Sequence, residues 1–374
     1  MKIKIIYDLI FFAREKYGGI SRMWHEIFKL LPKTNFKITF ISGTANNMVQ
    51  DYLEKNNFFG HDTIVESSNK LEKKFRIFSF YRSFKIYFIL AKKKYSEGYI
   101  FHSTDYINPI IKPKNIKIIT TIHDMVFWDQ SEKFKITIDY LDRKFAITNS
   151  IRVSDKIITV SNTSKKAIIK QFPKAINKIE VIYHGLNKDF LNIKFCKIKR
   201  KSFLFLGSRN NYKNLDLLLE AFSIFIKNKP DWTLELIGEN SHSNSKEKIL
   251  YKRLGIQENV KDYGFVNNSK IINILQTTGA IIIPSFNEGF NFPLLEGLAS
   301  GAPVFSSNIP VSIELGKQFV KYFSPNSVDE LLGLMNNLDQ DNLDTNLLIN
   351  GQAYAQTFTW KNSFDKLSNL YSEV

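Results

Sequence analysis

The chain has 374 residues, a single cysteine and a formal net charge of +16. That length favours two domains over one, each with its own core. Cys196 alone excludes an internal disulfide and fits a reducing compartment, and no apolar run approaches the roughly 20 residues a membrane-spanning helix needs.

In chain order, Met1-Lys2-Ile3-Lys4-Ile5-Ile6-Tyr7-Asp8 reads as a first strand. Asp8 and Arg14 interrupt the apolar run and no small-residue cleavage site follows, so it is not a signal peptide and the protein is expected in the cytoplasm. Further strands are predicted near Phe36 to Ile41, Tyr99 to His102, Ile116 to Ile122, Lys156 to Val160 and Glu180 to Tyr183. Amphipathic helices alternate with them, which argues for an α/β fold with parallel sheets. Between Lys70 and Lys94 nine basic residues, among them Lys73, Lys74, Arg76, Arg82 and Lys85, stand against the single acid Glu72 and interleave with aromatics. A basic face beside an aromatic one suits an anionic membrane surface, although solvated lysines on core-packed helices give the same pattern. No zinc-finger, RNA-recognition or helix-turn-helix signature supports nucleic acid as the partner.

His123 directly follows the apolar run Ile116 to Ile122 and so lies at a strand's carboxyl end. Asn187 to Lys201 is polar, basic and aperiodic, and reads as a linker. A second series of strands starts at Ser202 and continues at Thr233 to Gly238, Val260 to Tyr263, Ala280 to Pro284 and Pro303 to Ser306. After the first of these come Arg209 and Lys213, just ahead of a helix that begins near Asn214. Cations there are disfavoured by the helix dipole unless an anion is bound; a diphosphate would supply one. After the strand Ala280 to Pro284, the loop Asn287-Glu288-Gly289-Phe290-Asn291-Phe292-Pro293 leads into a helix that carries Glu296. Carboxylates accept from sugar and ribose hydroxyls, and loop amides at a helix start suit phosphate oxygens. Asp339-Gln340-Asp341 reads as a solvated loop, and no Cys/His spacing suggests zinc.

The Arg209/Lys213 pair and the Glu288/Glu296 pair, in this order, resemble the retaining GT4-type glycosyltransferases of the GT-B fold. Tyr17-Gly18-Gly19-Ile20-Ser21-Arg22, Phe101-His102-Ser103-Thr104, Thr121-Ile122-His123-Asp124, Val160-Ser161-Asn162-Thr163-Ser164 and Val181-Ile182-Tyr183-His184-Gly185 are similar to family positions in family order. The resemblance implies two Rossmann-like domains with parallel sheets facing a central cleft. They would be an acceptor domain over 1–190, a linker over 191–200, a nucleotide-sugar donor domain over 201–355 and a C-terminal helix over 356–374 that crosses back to the first domain. It implies Glu288 and His123 as catalytic residues orienting the donor sugar. Gly18, Gly19, Arg209, Lys213, Phe265, Gly289, Phe290, Asn291, Phe292 and Glu296 would bind the donor, with Glu296 on the ribose and Arg209 and Lys213 on the diphosphate. One position departs from the pattern, because Asn291 replaces the second glycine of the usual Glu-Gly-Phe-Gly. Asn tolerates a left-handed backbone, so the loop is expected to keep its shape, with the side chain a candidate to narrow the phosphate pocket.

The activity implied is transfer of a sugar from a nucleoside diphosphate sugar to a hydroxyl of a glycan or polyprenyl-linked acceptor, with retention and without cofactor or metal. Likeness to the mannosyltransferase-like branch that builds bacterial surface polysaccharide makes GDP-mannose the first expectation for the donor. It also implies a cytoplasmic protein, peripheral on the inner face of the membrane if the basic segment binds lipid. A nucleotide-sugar epimerase and a catalytically silent sugar-nucleotide binder are the alternatives.

Overall fold

The structure is a computed structural model that describes residues 3–8, 19–31, 34, 36–42, 62–65, 79–92, 95, 98–125, 128, 138–197, 200–238, 245–339 and 342–374. The chain divides into two compact units, Met1–Gly185 with Trp360–Val374, and Leu186–Thr359. The boundaries therefore fall at Gly185 and Thr359, where the sequence places them at 190 and 355.

In the first unit the strands are β1 Lys4–Asp8, β2 Lys37–Ser42, β3 Asp62–Val65, β4 Tyr99–Ser103, β5 Ile116–Ile122, β6 Lys156–Thr159 and β7 Ile179–Val181. They form one sheet in the order β3-β2-β1-β4-β5-β6-β7, and every pairing is parallel. The C-terminal helix Trp360–Glu373 belongs to this unit. Its Tyr371 hydroxyl lies 2.7 Å from that of Tyr7 on β1 and 2.5 Å from Nδ1 of His102 on β4, all three side chains being buried. Tyr7 also packs edge-on against Trp24 and Phe28 of the helix Gly19–Leu30, so the last helix is held by an aromatic core with polar tips satisfied.

The second unit holds β8 Ser202–Leu206, β9 Thr233–Ile237, β10 Val260–Gly264, β11 Ala280–Ile283, β12 Val304–Ser307 and β13 Lys321–Phe323, in the order β10-β9-β8-β11-β12-β13, again all parallel. Buried on both faces, β8 and β11 read as the near-continuous apolar runs Phe-Leu-Phe and Ala-Ile-Ile-Ile. Phe203 stacks on Trp232 at 4.6 Å and meets Phe225 of the helix Leu215–Phe225 at 5.2 Å. Each such side chain stabilises the fold by about 1.5–3 kcal/mol through burial. Gly297, in the helix Phe292–Ala299, lets that helix lie directly on the sheet, since a Cβ there would sit 2.7 Å from Ile281 Cγ2 on β11 and 3.1 Å from Val304 Cγ2 on β12.

The stretch Asn187 to Lys201, expected as a linker with its core at 191–200, belongs to the second unit, and its described residues are packed onto it. Gln352 Nε2 donates to the Ile193 and Ala299 carbonyls at 3.1 and 2.9 Å, and Gln276 Nε2 donates to the Lys194 carbonyl at 3.0 Å. The stretch carries the short helix Lys188–Leu191, and beyond it polar side chains elsewhere in the unit satisfy the backbone. Strands β3 and β13 were not expected. Three residues, as in β13, are too few to show alternation.

Candidate active site

Both sheets reverse their strand order once, between β1 and β4 and between β8 and β11, and in open α/β sheets ligands bind outside the carboxyl ends at such switch points. In the second unit two loops leave the switch point, residues 207–214 after β8 and 284–291 after β11. They are tied together by backbone and side chain. Phe286 N donates to the Tyr212 carbonyl at 2.8 Å, and Asn214, at φ 55°, donates from Nδ2 to the Pro284 carbonyl at 3.0 Å.

Across these loops Lys213 Nζ donates to Glu288 Oε1 at 2.6 Å, and Ser285 Oγ donates to the same oxygen at 2.7 Å. The two ionic side chains are only 13% and 9% exposed. Burial pulls the Lys213 ammonium down, but the Glu288 carboxylate and Tyr212 outweigh it, so lysine is held above its usual value. Arg209 lies over the Phe205 ring with Cζ 5.4 Å from the centroid. It donates to Asp262 Oδ1 at 3.3 Å and stands 3.6 Å from Glu247 Oε2. The negative charge that the sequence sought for these cations is therefore supplied by the protein's own carboxylates, and the dipole argument alone no longer requires a bound anion.

Asn291 adopts φ 56°, ψ 58°, the left-handed backbone expected of a glycine substitute. Its side chain does not lie open at the loop surface. It is 2% exposed, and Nδ2 donates to Ser312 Oγ at 3.0 Å, which in turn accepts from Ser306 Oγ at 3.0 Å. The departure from the family's glycine thus fastens the loop to β12 and the helix Pro310–Gly316.

Gly289 and Phe292 are partly exposed, whereas Phe290 is buried between Phe292 at 5.1 Å and Phe358 at 6.4 Å, leaving its backbone as the part able to meet a ligand. Glu296 is 5% exposed on the helix Phe292–Ala299. Phe265 is 65% exposed, directly after Gly264 at φ 59°. The carboxyl ends of β8, β9 and β10 are drawn together by glycines. Gly207 N donates to the Ile237 carbonyl at 3.0 Å, Gly238 N donates to the Gly264 carbonyl at 2.9 Å, and any side chain at Gly238 would collide with the Gly207 carbonyl.

In the first unit His123 is 4% exposed at the end of β5, and neither ring nitrogen has a hydrogen-bond partner among the described residues. Its ring lies 5.9 Å from that of His184, and burial pushes its pKa down to about 3. His102 is pushed equally low by burial and by His123, but it is satisfied on both sides, Nε2 lying 2.9 Å from Thr121 Oγ1. Gly19 opens the helix Gly19–Leu30, while Gly18, Lys73, Lys74 and Arg76 lie outside the described residues. Arg82 and Lys85 are partly buried on the helix Ser79–Leu90, whose exposed stripe is aromatic instead: Phe80, Tyr81, Phe84 and Phe88 are 54%, 57%, 46% and 56% exposed. Of Asp339-Gln340-Asp341 only Asp339 is described, and among the described residues no three His, Cys, Asp or Glu side chains converge to hold a metal.

Sequence reasoning did not find Asp262, Glu247, Ser285 or Ser312. Only Asp262 left a signal, as a charged residue within the strand Val-Lys-Asp-Tyr-Gly.

Two family models match the chain in succession, Glycosyltransferase Family 4 over residues 17–190 and Glycosyl transferases group 1 over residues 190–359. The chain belongs to the family 4 glycosyltransferases. This glycosyltransferase is 25% identical over 270 residues, 71% of its length and 70% of the relative's, to the O-antigen chain mannosyltransferase RfbU of Salmonella typhimurium. It is 23% identical over 383 residues, covering 96% and 94% of the two chains, to the UDP-Gal:alpha-D-GlcNAc-diphosphoundecaprenol alpha-1,3-galactosyltransferase of Escherichia coli. Anabaena HepE, solved with UDP-glucose, superimposes with a TM-score of 0.74 over 99% of this chain and 100% of its own at 16% identity, a likeness of fold. The glycosyltransferase has the GT-B fold.

Proposed function

We propose that this glycosyltransferase transfers a hexosyl group, mannose from GDP-mannose in the first reading, to a hydroxyl of a glycan or polyprenyl-linked acceptor in bacterial surface-polysaccharide synthesis. The transfer retains the anomeric configuration and uses neither cofactor nor metal. The observation that carries the reading is the buried Lys213–Glu288 pair at the β8/β11 switch point, with Arg209 on the same loop. Arg209, aimed by Asp262 and Glu247, and Lys213, exchanging part of its hold on Glu288 for phosphate oxygens, stabilise the departing diphosphate. Glu288, so released, accepts from the sugar hydroxyls and Glu296 from the ribose. The amides of Gly289, Phe290 and Asn291 meet phosphate oxygens at the start of the helix Phe292–Ala299, together with the Gly18-Gly19 loop, and Phe265 and Phe292 flank the nucleoside. His123 orients the donor sugar, and its buried imidazole, unpaired among the described residues, supports a ligand-facing role.

The mannosyl reading is supported by the relatives named as O-antigen mannosyltransferases. The galactosyltransferase relative and the UDP-glucose complex of HepE favour a second reading, a UDP-hexose donor. Lipid-linked acceptors agree with the exposed aromatic stripe of the helix Ser79–Leu90, which we assign to an anionic membrane surface, Arg82 and Lys85 lying at its margins and Lys73, Lys74 and Arg76 preceding it. Among the described residues no helix is long and apolar enough to cross a membrane. Transfer assays with GDP-mannose and UDP-hexoses on lipid extracts, with the product's anomeric configuration read by NMR and EDTA present throughout, test the whole reading. Product from the donor alone points to an epimerase, tight nucleotide binding without transfer to a silent binder, and dependence on added metal removes the metal-free claim.

A further inference from the structure

Asp262 uses one carboxylate oxygen for two tasks. Oδ1 accepts from Arg209 Nη2 at 3.3 Å and from the backbone N–H of Gly264 at 3.0 Å. The ladder between β10 and β9 changes register at this point, between Asp262 and Gly264, and bulges of this kind re-aim the chain that follows them. The Gly264 turn, at φ 59°, then presents Phe265, the one large aromatic side chain of the second unit that is exposed among the described residues. Arg209 is also held by the Phe205 face, the Gly207 carbonyl and Glu247, whereas Asp262 holds the arginine and the turn at once. Asp262 is therefore a joint between the arginine proposed for the diphosphate and the turn proposed for the base.

We infer that Asp262 is a positioning residue that couples diphosphate binding to base discrimination in the donor site. The inference rests on the donor reading above. Its physical content is that one shared acceptor ties the aim of the guanidinium to the placement of the Phe265 ring, so that a base seated on the ring and a diphosphate seated on Arg209 must fit one common spacing. Asparagine at this position keeps a neutral acceptor for the Gly264 N–H but weakens the charge-assisted hold on Arg209. Alanine removes both.

The test is calorimetric titration of GDP, UDP and inorganic diphosphate into the full-length wild type, Asp262→Asn, Asp262→Ala and Phe265→Ala, with thermal melts to confirm that each is folded. Asp262→Asn is expected to weaken inorganic diphosphate and both nucleotides about tenfold while preserving the GDP/UDP affinity ratio. Asp262→Ala is expected to weaken diphosphate further and bring that ratio towards one, and Phe265→Ala to change the ratio without changing diphosphate. Tighter binding by Asp262→Asn would make Asp262 a competitor for Arg209 and overturn the inference. An unchanged ratio in Asp262→Ala would overturn it too. Should Asp262→Ala not fold, Asp262→Ser, which is too short to span both partners, takes its place under the same criteria. A wild type that binds neither nucleotide removes the donor reading itself, and the inference with it.

Discussion

Lys213 Nζ lies 2.6 Å from Glu288 Oε1, across 75 positions of sequence, and Ser285 shares the same carboxylate oxygen. Lys213→Ala leaves that carboxylate mostly buried without its cation, which costs about 3–5 kcal/mol of stability. Turnover should also fall about 100- to 1,000-fold, the scale of one lost electrostatic contact to a developing anion. The combination Lys213→Met with Glu288→Gln removes the uncompensated charge and is expected to restore the melting temperature but not transfer. Activity returning together with stability would show that the pair is structural.

Asn291 separates backbone strain from side-chain anchoring. Asn291→Gly keeps the left-handed backbone and loses only the bond to Ser312, whereas Asn291→Ala must hold φ near 56° against its Cβ. The alanine variant should be less stable than the glycine variant by about 1–2 kcal/mol in urea unfolding. Equal stabilities would mean that the loop relaxes out of the left-handed region.

Acid should unfold the first unit early. His102 and His123 are held to about 3 by burial, while in the unfolded chain each titrates near the usual 6.5. Between those values the unfolded state binds more protons, so stability falls as pH drops below about 6.5, and these groups leave it flat above that. Two units below, each neutral histidine accounts for about 2–3 kcal/mol. His184, also lowered by burial and by His123, acts in the same direction. Melting temperatures measured from neutral to acid pH check this, and His123→Phe should flatten the slope.

The aromatic stripe makes a prediction of its own. Of the five large aromatic side chains exposed among the described residues, four lie on the helix Ser79–Leu90. Phe80 continues onto Phe145 of the helix Ile138–Val153 at 5.7 Å, and Leu141 and Ile138, 54% and 65% exposed, follow along that helix. Wild type should sediment with anionic vesicles and not with neutral ones, and Phe84→Glu with Phe88→Glu should abolish this without loss of fold. Binding that survives the double substitution would move the membrane contact elsewhere.

The sequence by itself determined the parallel strands other than β3 and β13, the loops that end them and the residues those loops carry, because such information is local. A buried parallel strand is an apolar run whatever it pairs with, and Pro293 after Asn291 marks a helix start through its fixed φ. Arg209, Lys213 and Glu288 were legible for the same reason, each lying in a loop between a predicted strand and a predicted helix. Only the tertiary structure decided the electrostatics among them. Which carboxylate faces which cation depends on β8, β10 and β11 meeting in one sheet, and alternation along a chain says nothing about the neighbour across it. The anchoring of Asn291 by Ser312, the double use of Asp262 and the imidazole of His123, unpaired among the described residues, arise in the same way. Polar side chains find, or fail to find, partners distant in sequence once water is excluded, and that pairing exists only after the core has closed.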